Sequence, residues 1–169
     1  MSNPPAGRTD VQLRKLVEKF ETGRLPKYDW SHSAHLTVGA YYILNHGSAE
    51  ALTRLRTGIR NLNSAHGTAN SELRGYHETL TRFWVSIIDQ FLAQHRSANP
   101  EIEPRVAVTS LARTFQNRRK LYRDYWSFDI IASVQARGAW VEPDVRPLDT
   151  PRSSGAVADP PPNVTKCPH

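Results

Sequence analysis

The residues most able to do chemistry lie in Trp30-Ser31-His32-Ser33-Ala34-His35-Leu36. His32 and His35 are three apart, so on a helix they share one face and can meet one ligand. Leu36, Gly39 and Ile43 continue that stripe, so both imidazoles are expected to point inward from an apolar face. A glycine in mid-helix costs roughly 1 kcal/mol relative to alanine. Gly39 therefore predicts a close approach, by another helix or by a ligand, just beneath the histidines.

A second cluster, Tyr76-His77-Glu78-Thr79-Leu80-Thr81, opens the most apolar helical segment, with His77 expected on the edge of its buried face. If His77 meets His32 and His35, three neutral imidazoles converge. That set suits a divalent transition metal (zinc, iron or copper) with a position left open for water or substrate. Glu78 is then a fourth ligand, a partner fixing a histidine tautomer, or a general base. Tyr76, Thr81 and Trp84 would line the pocket, and Arg118 and Arg119 would orient an anionic substrate. Asp29 and His66 are weaker members of the same shell. Two readings compete with the metal. In one, the histidines form a buried polar network in a metal-free binding or regulatory module for an anionic partner. In the other, His77 and Glu78 perform acid–base chemistry without metal. An i, i+3 histidine pair is far less diagnostic than H-E-x-x-H, which is absent, as are the P-loop, G-x-S-x-G and G-x-G-x-x-G. His46 and His95 fall near helix C-termini, which favour a partly protonated imidazole, and His169 lies in the tail.

The elements that must position these residues read as helices throughout. Asp10 can cap a first helix carrying Leu13, Leu16, Val17 and Phe20, stopped by Gly23. A second runs from Ser31 to Asn45 and stops at Gly47. Ser48 caps a third, with Leu52, Leu55, Ile59 and Leu62 on one stripe and Gly67 as its stop. The fourth, from Tyr76 to His95, buries Leu80, Phe83, Trp84, Ile87, Ile88 and Phe91. Pro104 suits the first turn of a fifth, expected to continue through Phe115 toward Leu121 and Tyr125. Ser127 would cap a last helix from Phe128 to Arg137, after which Trp140 and Val141 anchor the closing segment. No alternating β-branched run bounded by hairpin turns occurs. The expected architecture is all-α, a compact bundle of five to six helices.

The 169 residues match one domain, assigned to 9–148, between a short N-terminal tail (1–8) and a disordered tail (149–169). Seven of the twelve prolines fall from Pro143 onward, where no apolar periodicity survives to offset ordering entropy. The single cysteine, Cys167, excludes an internal disulfide and a thiolate metal cage. No apolar run approaches the ~20 residues needed to cross a bilayer. The first residues carry no secretory signal pattern, so a cytoplasmic protein is expected. The net charge of +6 comes mostly from arginine. Its one concentration, Arg105 to Arg123, has six basic residues and no acidic one, and a solvated helix face is its first reading. A small-molecule substrate is favoured over nucleic acid, because no helix-turn-helix spacing is present.

Taken together, Trp30-x-His32-x-x-His35-Leu36, Ala65-His66-Gly67, Tyr76-His77-Glu78-Thr79-x-Thr81 and Ala136-Arg137-x-x-Trp140-Val141-x-Pro143-Asp144 resemble a largely uncharacterised family of small bacterial all-α proteins. The resemblance spans about residues 13 to 148. It implies that the histidines at 32, 35 and 77 belong to one site, and it supplies no reaction.

Overall fold

The computed structural model describes residues 8–148. The expected C-terminal tail and most of the N-terminal one lie outside the described residues. The helices are α1 (Asp10–Glu21), α2 (His32–Ala65), α3 (Glu78–Ala98), α4 (Pro104–Phe115) and α5 (Val134–Gly138), with a 3-10 turn at Leu121–Asp124 between the last two. No strand occurs among the described residues, and the all-α bundle is the fold.

Thr9, one residue before the expected cap, starts α1 through a capping box. Its hydroxyl accepts the Gln12 N–H and the Gln12 side chain accepts the Thr9 N–H. α2 is broken at Gly47, whose φ of 78° is left-handed and favours glycine. The break turns the chain back on itself, so that a Cβ at Gly39 would lie 3.9 Å from Leu55. The first arm (32–46) and second arm (48–65) are thus the two helices read from the sequence, joined without a loop.

α3 packs against both arms. Its Trp84 meets His32 and its Ile88 meets Gly39, so α3 runs parallel to the first arm. The expected close approach at Gly39 is made by Ile88, whose Cδ1 would sit 2.8 Å from an added Cβ. Against the second arm α3 is antiparallel, with Glu78 on Arg56 and Tyr76 under Arg60. α1 closes the other side, its Phe20 so near Gly58 that a Cβ there would lie 2.4 Å from the ring.

Two apolar clusters result. The larger joins α1, both arms of α2, α3 and α4, and includes Phe20, Leu36, Leu62, Ile88 and Leu111. The smaller sets Phe83 and Ile87 of α3 against Leu121, Tyr122, Tyr125, Trp126, Ile130 and Ala136. Trp84 and Phe115 touch both.

Two expectations for the C-terminal third are corrected. α4 ends at Phe115 and does not reach Tyr125. The chain turns there, with the Arg118 N–H on the Phe115 carbonyl, and this swings Leu121 and Tyr122 into the smaller cluster. The last helix is only Val134–Gly138 and is capped by Ser133. Ser127 is not that cap, because the helix starts only behind Ser133, and the Ser127 N–H and hydroxyl instead donate to the carboxylate of Asp144. Trp140 and Val141 do tie the closing segment down. The Val141 N–H donates to Thr79 Oγ1, and the Arg82 guanidinium lies 4.6 Å from the Trp140 ring centre.

Candidate functional site

A cavity of about 570 Å³ opens where the first turn of α2, the start of α3 and the segment around Arg119 meet. His32, His35, Tyr76, His77, Thr81, Trp84 and Arg119 all line it. Seven residues singled out from sequence thus share one cavity, although they come from three parts of the chain. Glu78 and Arg118 do not line it. Trp30, Lys120 and Tyr122 do, and the sequence reading gave them no place at the site.

Local sequence explains how the histidines are held. Ser31 caps α2, accepting the Ala34 N–H at 3.3 Å, so His32 and His35 fall in the first turns with their side chains one above the other. The ring of His35 lies 3.9 Å from that of Trp30, which in turn stacks on Phe20 at 4.7 Å. His35 is open to the cavity, and its ring nitrogens have no hydrogen-bond partner among the described residues. Desolvation by the surrounding side chains, then the neighbouring His32 and Arg119, lower its pKa from the ordinary 6.5 and favour the neutral imidazole.

His32 packs edge-on against Trp84, 4.6 Å between ring centres. Its Nε2 is shielded from solvent and has no hydrogen-bond partner, the sole such side-chain atom among the described residues. Burial lowers its pKa most. The Phe115 carbonyl opposes that shift and Arg119 adds to it. The Arg119 cation therefore acts on both imidazoles.

His77 is built differently. It does not sit inside the helix, as its spacing predicted, but is the N-cap of α3. Its Nδ1 accepts the Leu80 N–H at 3.3 Å, and its Nε2 faces the Ile130 carbonyl at 2.8 Å. A carbonyl only accepts, so Nε2 carries the proton and Nδ1 the lone pair. Both nitrogens are engaged, and the one lone pair, on Nδ1, is not free for a metal. Burial lowers the His77 pKa, the Ile130 carbonyl raises it, and Arg137 lowers it again. Among the described residues no three of His, Cys, Asp and Glu are grouped so as to hold a metal ion.

Glu78 is turned away from the cavity. Its carboxylate takes two hydrogen bonds from the Arg56 guanidinium, one at 3.0 Å, and one from the Tyr76 hydroxyl at 2.8 Å. Burial would raise its pKa, but these three bonds outweigh it and hold the group below its usual range. Tyr76 is pushed up to about 12, chiefly by burial, and stays a donor. An ionised carboxylate bound on both oxygens is an ion-pair partner, and the geometry gives it no contact through which to act as a base in the cavity. Arg56 lies 22 residues from Glu78 and carries no signal in sequence that marks the pair.

The remaining sequence-selected residues separate cleanly. Thr81 lines the cavity while donating its hydroxyl to the His77 carbonyl. Thr79 is buried, donating to the Ala139 carbonyl and accepting from Val141. Arg118 is half-exposed, 3.8 Å from Asp124. His66 ends α2 and donates from Nε2 to the Leu25 carbonyl at 2.7 Å, away from the site. Asp29 is exposed and His95 stacks on Phe91, neither at the cavity.

No family model, no curated protein and no solved structure matches the chain. No helix among the described residues is long and apolar enough to cross a membrane.

Proposed function

We propose that the protein binds a small, flat, anionic molecule in the His32–His35 cavity, without metal. The observation that carries this reading is the His35 imidazole, exposed in an aromatic-walled cavity that Arg119 and Lys120 also line. Trp30, Trp84, Tyr76 and Tyr122 offer faces on which a planar ligand can stack. Arg119 and Lys120 supply positive charge, and among the described residues no carboxylate lines the cavity to neutralise them. About 570 Å³ falls within the range of small-molecule sites. The unpartnered Nε2 of His32 adds support. Leaving a buried nitrogen unpaired costs about 1–3 kcal/mol, and a ligand that reaches it would recover that loss.

A second reading keeps the metal but changes its ligands. His32 and His35 lie one turn apart, and among the described residues neither Nε2 of the first nor either ring nitrogen of the second has a hydrogen-bond partner. They would hold a divalent metal such as zinc as a pair, with ligand or water completing its shell and His77 outside it.

Tryptophan fluorescence decides between the two, since Trp30 and Trp84 line the cavity. Planar aromatic carboxylates are expected to quench saturably in the presence of EDTA, their neutral amides much less. His35→Ala should weaken carboxylate binding at least tenfold. Equal binding by the variant would overturn the proposal. One equivalent of zinc, retained on dialysis by the wild type and lost in His32→Ala, would establish the second reading in its place.

A further inference from the structure

A second cavity, of about 450 Å³, lies on the opposite side of the first arm of α2, between that arm, α1 and α4. Ser33 and Thr37, one turn apart on α2, form one wall, whereas His32, His35 and Leu36 face the other cavity. Arg105, Thr109 and Arg113 of α4, with its C-cap Gln116, form the facing wall, and Arg8 and Gln12 close the end.

The charged groups of the lining are all cationic, whereas the Thr37 and Thr109 hydroxyls donate to the carbonyls of Ser33 and Arg105. Three arginines, Arg8, Arg105 and Arg113, line it from two regions of the chain, and among the described residues no carboxylate does. Arg8 is held in place by Thr37, a 2% exposed residue whose hydroxyl accepts from Arg8 Nη1 at 3.2 Å while donating to the Ser33 carbonyl. The Gln12 side-chain oxygen is taken by the Thr9 N–H, so the end it can offer a ligand is its amide NH2. The Ser33 hydroxyl is a further donor in the lining. The acidic groups nearest Arg105 are Asp10 and Glu103, at 3.8 and 3.7 Å, and both carboxylates are exposed. Those are long, screened pairs worth little, and an anion in the cavity can displace them.

We propose that this cavity is a separate site for the dianionic phosphate group of a phosphate monoester. Guanidinium groups match phosphate oxygens in geometry and charge. A concave site with donors on three sides surrounds a terminal group, which has three exposed oxygens, better than a diester within a chain. The proposal does not depend on the His35 cavity.

Backbone amide NMR of the whole protein at constant ionic strength tests it, with methyl phosphate as the monoester and dimethyl phosphate as the diester. Methyl phosphate is expected to shift the amides of Ser33, Thr37, Thr109 and Arg113 along one saturable curve, with dimethyl phosphate at least tenfold weaker. Arg105→Ala combined with Arg113→Ala should weaken methyl phosphate at least tenfold, and His35→Ala should leave it unchanged. Arg105→Ala alone, at a half-exposed position, keeps the test open if the double variant loses its dispersed spectrum, and should weaken binding at least threefold. Absence of saturable shifts, equal binding of the diester, unchanged affinity in the arginine variants, or shifts centred on His35 and Thr81 would each overturn the assignment.

Discussion

The start of α3 and the start of α2 both present histidines to one cavity, yet they are built in opposite ways. At α3 the polar groups interlock: His77 caps the helix and holds Ile130, Thr79 holds Ala139 and Val141, and Tyr76 and Arg56 hold Glu78. Arg137 adds bonds from its guanidinium to the carbonyls of Gly75, Tyr76 and Ile131. At α2 the cap is made by Ser31, leaving His32 Nε2 unpaired and His35 open to the cavity. The same residue type fastens the C-terminal segment in one place and faces a possible ligand in the other. The difference lies in where the hydrogen-bond partners are. Residue type alone says nothing about it.

That contrast is open to attack by substitution. The largest effect on stability is expected from Glu78→Ala, which strands Arg56 and the buried Tyr76 hydroxyl. Removing one member of a fully buried ion pair costs about 3–5 kcal/mol. Because the Arg56 side chain is 36% exposed, about 2–3 kcal/mol is expected, read from urea unfolding. A loss under ~0.5 kcal/mol would refute the fastening role.

His77→Ala should follow, at about 2 kcal/mol. It removes a helix cap, worth ~1 kcal/mol, and leaves the Ile130 carbonyl without its donor. His77→Asn should recover the cap alone, since its side chain can accept an N–H but is too short to keep both bonds. If His77→Ala abolished ligand binding and left stability untouched, the two corners would have been assigned the wrong way round.

Acid should act next. Burial lowers the pKa of His32 and His77 from the ordinary 6.5, and desolvation by the side chains around the cavity-facing His35 lowers it too. Between 6.5 and the lowered values the unfolded chain therefore binds protons that the folded chain does not. Stability is fully present above pH 6.5 and falls as the pH drops below it. The thermal midpoint should be lower at pH 5 than at pH 7.5, with a shallower fall in His77→Asn. An anionic ligand in the cavity should raise the pKa of His35 and so flatten the dependence further. A midpoint independent of pH across this window would contradict the neutral imidazoles.

The smallest effect on stability is expected from His32→Ala. The variant loses contact with Trp84 but also removes a nitrogen that lacked a partner, two changes of opposite sign, so the net should stay within ~1 kcal/mol. The order of effects on ligand binding should be the reverse, with His35 and His32 first and Glu78 last.

Much of the arrangement could be read from sequence, because it depends on local rules. The apolar stripe through Leu13, Leu16, Val17 and Phe20 places α1 whatever packs on it. Gly47 and Gly67 end helices where a left-handed φ follows. The i, i+3 spacing put His32 and His35 on one face, and mid-helix Gly39 foretold the approach that Ile88 makes. Misplaced elements share a cause. Ser127 looked like a cap by type, but it is tied to Asp144, 17 residues later, and the helix starts only behind Ser133. Phe115 looked like mid-helix by periodicity, but the chain turns after it to fill the cluster around Phe83.

Sequence by itself determined α1, the two arms of α2, α3 and the start of α4, the Gly-directed breaks and the pairing of His32 with His35. These follow from backbone geometry over one or two turns, within which spacing dictates which side chains are neighbours. Tertiary structure alone decided that α3 lies parallel to the first arm of α2, which brings His77 to the cavity of His32 and His35. It also decided that His77 and Glu78 find their partners in Ile130 and Arg56, at separations of 53 and 22 residues. A hydrogen-bonding group is the same in sequence whether it is satisfied or not. Only the packed chain shows which groups are left to meet a ligand.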